Sequence, residues 1–334
     1  MKAMVLYEHA RVETHPLALV DVSDPRPGPG EVRLRVTICA ICRTDLHVIE
    51  QDLPTARLPV IPGHQIVGVV DEVGPGCRQA VAGQRVGVAW LRSTCGACQY
   101  CASGRENLCP HARFTGYHDD GGFAEYAVVR EDFAYPLPEA ITDEQVAPLL
   151  CAGLIGYRAL ERAQAPAGGT ICLYGFGSSA HLVLQFAQAR GHEVWVVTRG
   201  ERHRALAHAL GAGWVGASAA ELPEAVDSAI IFAPAGELVP AALEKLKPGG
   251  TLALAGITMT QIPALNYERH LFQERNLRSV TANTREDGRR MLEEAQRAGI
   301  KPRVTLFELA QANEALALLK ADALGGTGLL QVAP

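Results

Sequence analysis

The 334 residues contain no apolar run long enough to cross a bilayer as a helix, which takes about 20 consecutive apolar residues. They contain no basic run either. With 31 Lys and Arg against 36 Asp and Glu the net charge is −5, which argues against a general nucleic-acid binder held by phosphate contacts. Met1 to Glu13 is broken by charges and lacks the apolar core of a secretory leader, so a cytoplasmic protein is expected, with neither membrane nor nucleic acid as partner. Internal repeats and low-complexity segments are missing too. What remains is an ordinary globular composition, 48% apolar and 20% charged, at a length that allows two domains and a large core.

Cysteine is plentiful by contrast. Nine cysteines without a leader point to reduced thiols and metal ligands. Four of them form one cluster, Cys95-Gly-Ala-Cys98-Gln-Tyr-Cys101 followed by Cys109. Two-residue gaps let a tight loop aim its thiolates at one point, and four sulfurs at tetrahedral positions saturate a zinc ion. Such a zinc has no open position, so it would brace a lobe, about 91–112, and do no chemistry. Two disulfides or unrelated buried thiols are the alternatives from spacing alone.

The periodicity of the chain changes near residue 149. Before it, short apolar runs such as Val32–Val36 and Ile66–Val70 are separated by Gly and Pro clusters, the pattern of a barrel-like β domain. After it, strands expected at Thr170–Tyr174, Val194–Thr198, Ser228–Phe232, Thr251–Ala255 and Arg278–Thr281 alternate with helices. Those at Ala180–Arg190 and Arg202–Leu210 are examples, the second closed by Gly211. This alternation predicts a parallel, doubly wound sheet. After about 285 a helix, the segment Glu308–Lys320 and a short tail at Leu329–Val332 return to the first domain.

Gly175-Phe-Gly177-Ser178-Ser-Ala180 directly follows a strand and opens a helix. Gly175 permits the tight turn, Gly177 lets the backbone approach a pyrophosphate, and Ala180 in place of a third glycine keeps helix and strand close. The helix N-terminus then faces the phosphates. The second strand ends Val197-Thr198-Arg199-Gly200, where an NAD site normally carries Asp or Glu for the ribose hydroxyls. Thr198 can donate to a 2′-phosphate and Arg199 can pair with it, so NADP is favoured. An Arg199 stacked on adenine or facing solvent would leave NAD usable.

Three further pieces are unremarkable singly: Cys39-Ala-Ile-Cys42-Arg43-Thr44-Asp45-Leu-His47, then Pro62-Gly63-His64-Gln65, then Leu150-Cys151-Ala-Gly153. Taken with the cysteine loop and the glycine turn, they make the chain resemble the medium-chain zinc-dependent alcohol dehydrogenases over essentially its whole length. The resemblance implies a GroES-like β-barrel catalytic domain (1–148 and 285–334) and a Rossmann cofactor domain (149–284), an α/β plus β fold. It implies that Cys42, His64 and Cys151 bind a catalytic zinc with one position left open, giving two zincs per chain with the Cys95, Cys98, Cys101 and Cys109 site. Thr44 would take the proton of the alcohol, which passes by way of the cofactor ribose to His47, a residue type suited to exchange with solvent. Asp45 would orient His64 through its other ring nitrogen. Arg43 would pair with the pyrophosphate, and Trp90 would wall and narrow the substrate pocket. Cys39 is read as lying outside the ligand set, and Cys77 and Cys172 as structural.

The chain departs from the pattern twice. Gln65 stands where relatives commonly carry Glu, which leaves the site with less negative charge. Gly325-Gly-Thr-Gly328 lacks the arginine that many relatives place nearby against the cofactor. The expected activity is reversible oxidation of an alcohol to an aldehyde or ketone with NAD(P), by a homodimer or homotetramer. An NADP preference would favour the aldehyde-reducing direction. A polyol dehydrogenase often has Glu in place of the late cysteine, so Cys151 argues against it. A zinc-braced redox sensor that binds NADP(H) without turnover would not need the Cys42, His64, Cys151 set.

Overall fold

Glu31–Ala40 alternates apolar and charged residues, so Val32, Leu34 and Val36 are fully buried while Arg33 and Arg35 turn outward. This strand organises the first unit. It pairs antiparallel with Gln65–Val73, Tyr126–Arg130 and Thr327–Gln331, and the last of these pairs parallel with Val304–Glu308. Arg85–Val88 and Ala134–Pro136 complete a seven-stranded sheet. The C-terminal tail therefore joins the N-terminal strands, with Leu330 opposite Cys39. The computed structural model describes residues 1–53 and 57–332; residues 54–56 and 333–334, which fall in the expected stretches 1–148 and 285–334, lie outside the described residues. The chain divides into two compact units, one of Met1–Cys151, Ala282–Gln296 and Lys301–Pro334, the other of Ala152–Thr281 and Arg297–Ile300.

The second unit holds a six-stranded, all-parallel sheet in the order Trp214–Gly216, Glu193–Val197, Thr170–Tyr174, Val226–Ile231, Leu246–Leu254, Asn276–Ser279. Numbered along the chain this is 3-2-1-4-5-6, the doubly wound order that binds dinucleotides at the strand C-termini. Thr170–Tyr174 is buried along its whole length, as a central parallel strand should be. Helices Ser178–Ala189 and Glu201–Ala209 follow the first two strands, and Gly211 closes the latter at φ +81.

Some element limits differ from those expected. Leu246–Leu254 starts five residues before Thr251, because Leu246 pairs with Val226 across a register shift and carries the strand through Lys247-Pro-Gly-Gly250. The last strand runs Asn276–Ser279, two residues earlier than the expected Arg278–Thr281. Trp214–Gly216 is too short to show as a pattern and exists only by pairing with Trp195–Val197. Among the described residues no helix is long and apolar enough to cross a membrane.

Candidate metal centre and cofactor turn

Cys42 caps the helix Arg43–Ile49 in extended backbone, φ −146. Its own N–H donates to Asp45 Oδ2 at 2.8 Å, and its sulfur accepts from the Thr44 N–H at 3.4 Å. The Cys-x-x-Asp spacing is thus a capping box that fixes the direction of the thiol. His64 enters from the start of the next strand. The preceding Gly63 has φ +95, and a Cβ there would fall 2.4 Å from the Phe123 ring and 2.9 Å from Cys39 Sγ, so only glycine fits. Asp45 Oδ1 lies 3.1 Å from His64 Nδ1, with both side chains buried. That contact turns Nε2 toward the sulfurs, the arrangement a metal-binding histidine needs.

Cys42 Sγ sits 3.3 Å from His64 Nε2 and 3.7 Å from Cys151 Sγ. All three donor atoms lie within 4.8 Å of one another. Around a tetrahedral zinc with Zn–S near 2.3 Å, two sulfurs stand about 3.8 Å apart and a sulfur and a nitrogen slightly closer. The triad therefore fits zinc with one coordination position to spare. The cysteine loop passes the same test. Cys95–Cys109 and Cys98–Cys101 are separated by 3.6 Å and Cys95–Cys101 by 3.9 Å, tetrahedron edges far longer than a disulfide. None of the nine cysteines is disulfide-bonded. The N–H groups of Cys98, Cys95 and His111 point at Cys95 and Cys109 sulfurs, so His111 contributes backbone and stays outside the cluster.

Neighbouring charges, sulfur hydrogen bonding and burial act strongly on the donor set. The hydrogen bond between the two sulfurs holds Cys42 well below the ordinary thiol range and, with burial, pushes Cys151 well above it. Burial by itself would lower His64, but the charges of Asp45 and Cys42 outweigh it and raise the imidazole to about 10. In the loop, backbone N–H groups of Ala97 and Cys98 draw Cys95 down to about 6. Cys39, by contrast, is fully buried with its thiol pushed up by desolvation and lies outside both clusters.

Thr44 and His47, three residues apart, share a helix face. Thr44 is 8% exposed; the His47 side chain is 17% exposed, with Nδ1 2.7 Å from Asp52 Oδ2. Gln65 is buried, donates from Nε2 to Ala40 O at 3.2 Å, and leaves Oε1 without a partner among the described residues. Arg43 is exposed, with Asp322 at 3.8 Å. Trp90 stands edge-on to His64 at 5.0 Å and stacks on Phe114 (5.0 Å) and Tyr117 (5.7 Å). Phe114 and Tyr117 carried no sequence signal, since the pairing of Leu91–Ser93 with Arg113–Phe114 brings Phe114 there and Tyr117 lies three residues beyond it.

In the second unit, Gly175 takes φ +84 at the end of its strand and Gly177 caps the helix Ser178–Ala189 with an open face: a Cβ on it would meet nothing within 4 Å. Ala180 is fully buried. These are the properties a pyrophosphate-binding turn requires. Thr198 is buried at the next strand end and Arg199 is exposed, and no carboxylate lies between Val194 and Gly200. Arg204 donates to the carbonyls of Thr198 (3.4 Å) and Arg199 (2.6 Å), a support the sequence reading did not single out.

Residues 28–139 match the family model for the alcohol dehydrogenase GroES-like domain, and residues 180–297 match that for zinc-binding dehydrogenase. The chain is 49% identical over 337 residues to the "Probable alcohol dehydrogenase AdhA" of Mycobacterium tuberculosis, covering 99% of this chain and 97% of that one. It is 34% identical over 341 residues to an alcohol dehydrogenase of Geobacillus stearothermophilus, covering 99% of each. The solved structure of a cobalt- and zinc-bound thermostable alcohol dehydrogenase from Pyrobaculum aerophilum superposes with a TM-score of 0.90 at 26% identity, covering 99% of both chains. With the β-rich unit and the parallel-sheet unit each matched and the likeness running from end to end, the chain belongs to the medium-chain zinc-dependent alcohol dehydrogenase family.

Proposed function

We propose that this dehydrogenase carries two zincs per chain, a catalytic one held by Cys42, His64 and Cys151 and a structural one held by Cys95, Cys98, Cys101 and Cys109, and that it prefers NADP(H). The observation that carries the assignment is the convergence of two thiols and one imidazole, drawn from three distant segments, at tetrahedral spacing with a position to spare. When bound, zinc makes the substrate hydroxyl more acidic and the nicotinamide accepts the hydride. The chain's own residues supply the rest. Thr44 accepts the hydroxyl proton in a buried position, and His47 on the same helix face takes it outward. Asp45 holds the His64 ring, Gln65 fixes Ala40, and Trp90, packed on the Phe114 and Tyr117 rings, forms a wall that favours slender alcohols and aldehydes. Gly175, Gly177, Ser178 and Ala180 form the pyrophosphate turn. Arg43, exposed at the first turn of its helix, is assigned to the pyrophosphate as well.

The NADP preference rests on Thr198 and Arg199 at a strand end without a carboxylate. Reduction of aldehydes is then the favoured direction in the cell, by a homodimer or homotetramer of the 35.7 kDa chain. A panel of primary alcohols, secondary alcohols and aldehydes assayed with both cofactors tests the whole reading. Cys42→Ala should lose turnover by more than a thousandfold while retaining its fold and one zinc per chain. Arg199→Ala should cut kcat/KM for NADPH about tenfold or more and leave that for NADH nearly unchanged. Retained turnover in the first variant, or equal losses with both cofactors in the second, would sink the corresponding assignment.

A further inference from the structure

His47 makes a contact that neither the metal centre nor the substrate requires. The helix Arg43–Ile49 ends with Glu50, whose N–H donates to Leu46 O at 2.8 Å. Gln51 then turns left-handed at φ +64, and the Asp52 N–H reaches back to His47 O at 3.0 Å. This six-to-one closure of a helix end brings residue 52 back over the helix's last turn. Its carboxylate lands on the imidazole, with Oδ2 2.7 Å from Nδ1. An ionised carboxylate can only accept, so a neutral His47 must carry its hydrogen on Nδ1 and keep the lone pair on Nε2. Exposure rises stepwise along the same path, from 8% at Thr44 to 17% at the His47 side chain and 52% at that of Asp52.

We propose that Asp52 is a positioning residue for proton transfer, holding His47 in the Nδ1–H tautomer so that Nε2 is the atom that receives the proton leaving Thr44. The inference rests on the relay assignment of His47. In the step, Nε2 gains one proton from the hydroxyl chain and later gives it to water, while Asp52 stays ionised and the Nδ1–H bond is never broken. Nothing in the spacing of Asp52 marks it; the left-handed turn at Gln51 alone delivers it.

The test uses the zinc-loaded full chain and two readouts. Ring-nitrogen NMR of His47 should show the Nδ1–H tautomer in the wild type, a shift toward Nε2–H in Asp52→Ala, and a mixture in Asp52→Asn, whose amide can either donate or accept. Single-turnover hydride transfer should fall about tenfold in Asp52→Ala with the alcohol KM within twofold, and should fall no further when Asp52→Ala is added to His47→Gln. An unchanged tautomer in Asp52→Ala, or an equal drop in the His47→Gln background, would overturn the inference. A wild-type rate in His47→Gln would instead overturn the relay assignment, and the tautomer measurement would still decide whether Asp52 holds the ring.

Discussion

Gln65 shows how much a single buried amide decides here. Its Nε2 satisfies the Ala40 carbonyl two residues before Cys42, and its Oε1 is buried without a partner among the described residues. Gln65→Glu would turn an acceptor toward the Ala40 carbonyl in place of that donor and bury a charge. The metal-free protein should lose about 1–3 kcal/mol in urea denaturation. Zinc loading should recover part of that loss, because a nearby cation offsets the new charge. Trp90 acts by shape instead. Trp90→Ala removes the indole that packs on Phe114 and Tyr117 and is proposed to wall the pocket, so kcat/KM should rise for bulky secondary alcohols relative to small primary ones, roughly tenfold for a pocket enlarged by several methylene groups. A panel whose ranking did not move would remove Trp90 from the pocket. The identities of these residues were legible as residue types at motif positions. The rings packed on Trp90 were not, because Phe114 is brought there by a two-strand ladder rather than by spacing, and Tyr117 follows it three residues on.

Elements were legible where a period or a turn marks them. The capping box of Cys42 and Asp45 emerged only from the structure, whereas the central strand Thr170–Tyr174 and the glycine turn after it are written in the sequence. Elements created by pairing alone were not: Trp214–Gly216 has no pattern of its own, and the early start of Leu246–Leu254 runs through a Pro-Gly-Gly stretch that reads as a turn. The helix Arg285–Ala298 carries the sharpest element-level prediction. Gly288 lies one turn into it, and a Cβ there would fall 2.3–2.8 Å from the buried Tyr135 ring. Tyr135 is also tied by its hydroxyl to Asn283, so it cannot swing aside freely. Gly288→Ala gains up to about 1 kcal/mol of helix propensity but should cost about 1–3 kcal/mol in overpacking, for a net loss of stability. A melting temperature at or above wild type would show that the ring yields.

For the whole molecule, metal content is the decisive measurement. The structural cluster lies in a loop with little apolar burial of its own: Cys95 is exposed, and only Glu106, Asn107 and Cys109 are buried between Cys95 and Cys109. On the proposed assignment, zinc binding there would be folding energy for the lobe. Cys98→Ser should leave about one zinc per chain and lower the melting temperature, whereas Cys42→Ala should leave one zinc and abolish turnover with little loss of stability. Two variants with the same zinc content and opposite phenotypes would separate brace from reaction centre. Equal phenotypes would merge them.

The sequence by itself determined the family, the change from β-rich to doubly wound architecture and the residue types of both candidate metal-binding clusters, because short-range spacing and strand–helix alternation are local properties of a chain. The tertiary structure decided what depends on distance through space. It brought Cys151 within 3.7 Å of Cys42 across 109 positions, set Asp45 on the far nitrogen of His64, stacked Trp90 on Phe114, and dropped Asp52 onto His47 through one left-handed residue. Contacts of that kind are fixed by sheet register and by how a helix ends, and neither leaves a period in the sequence.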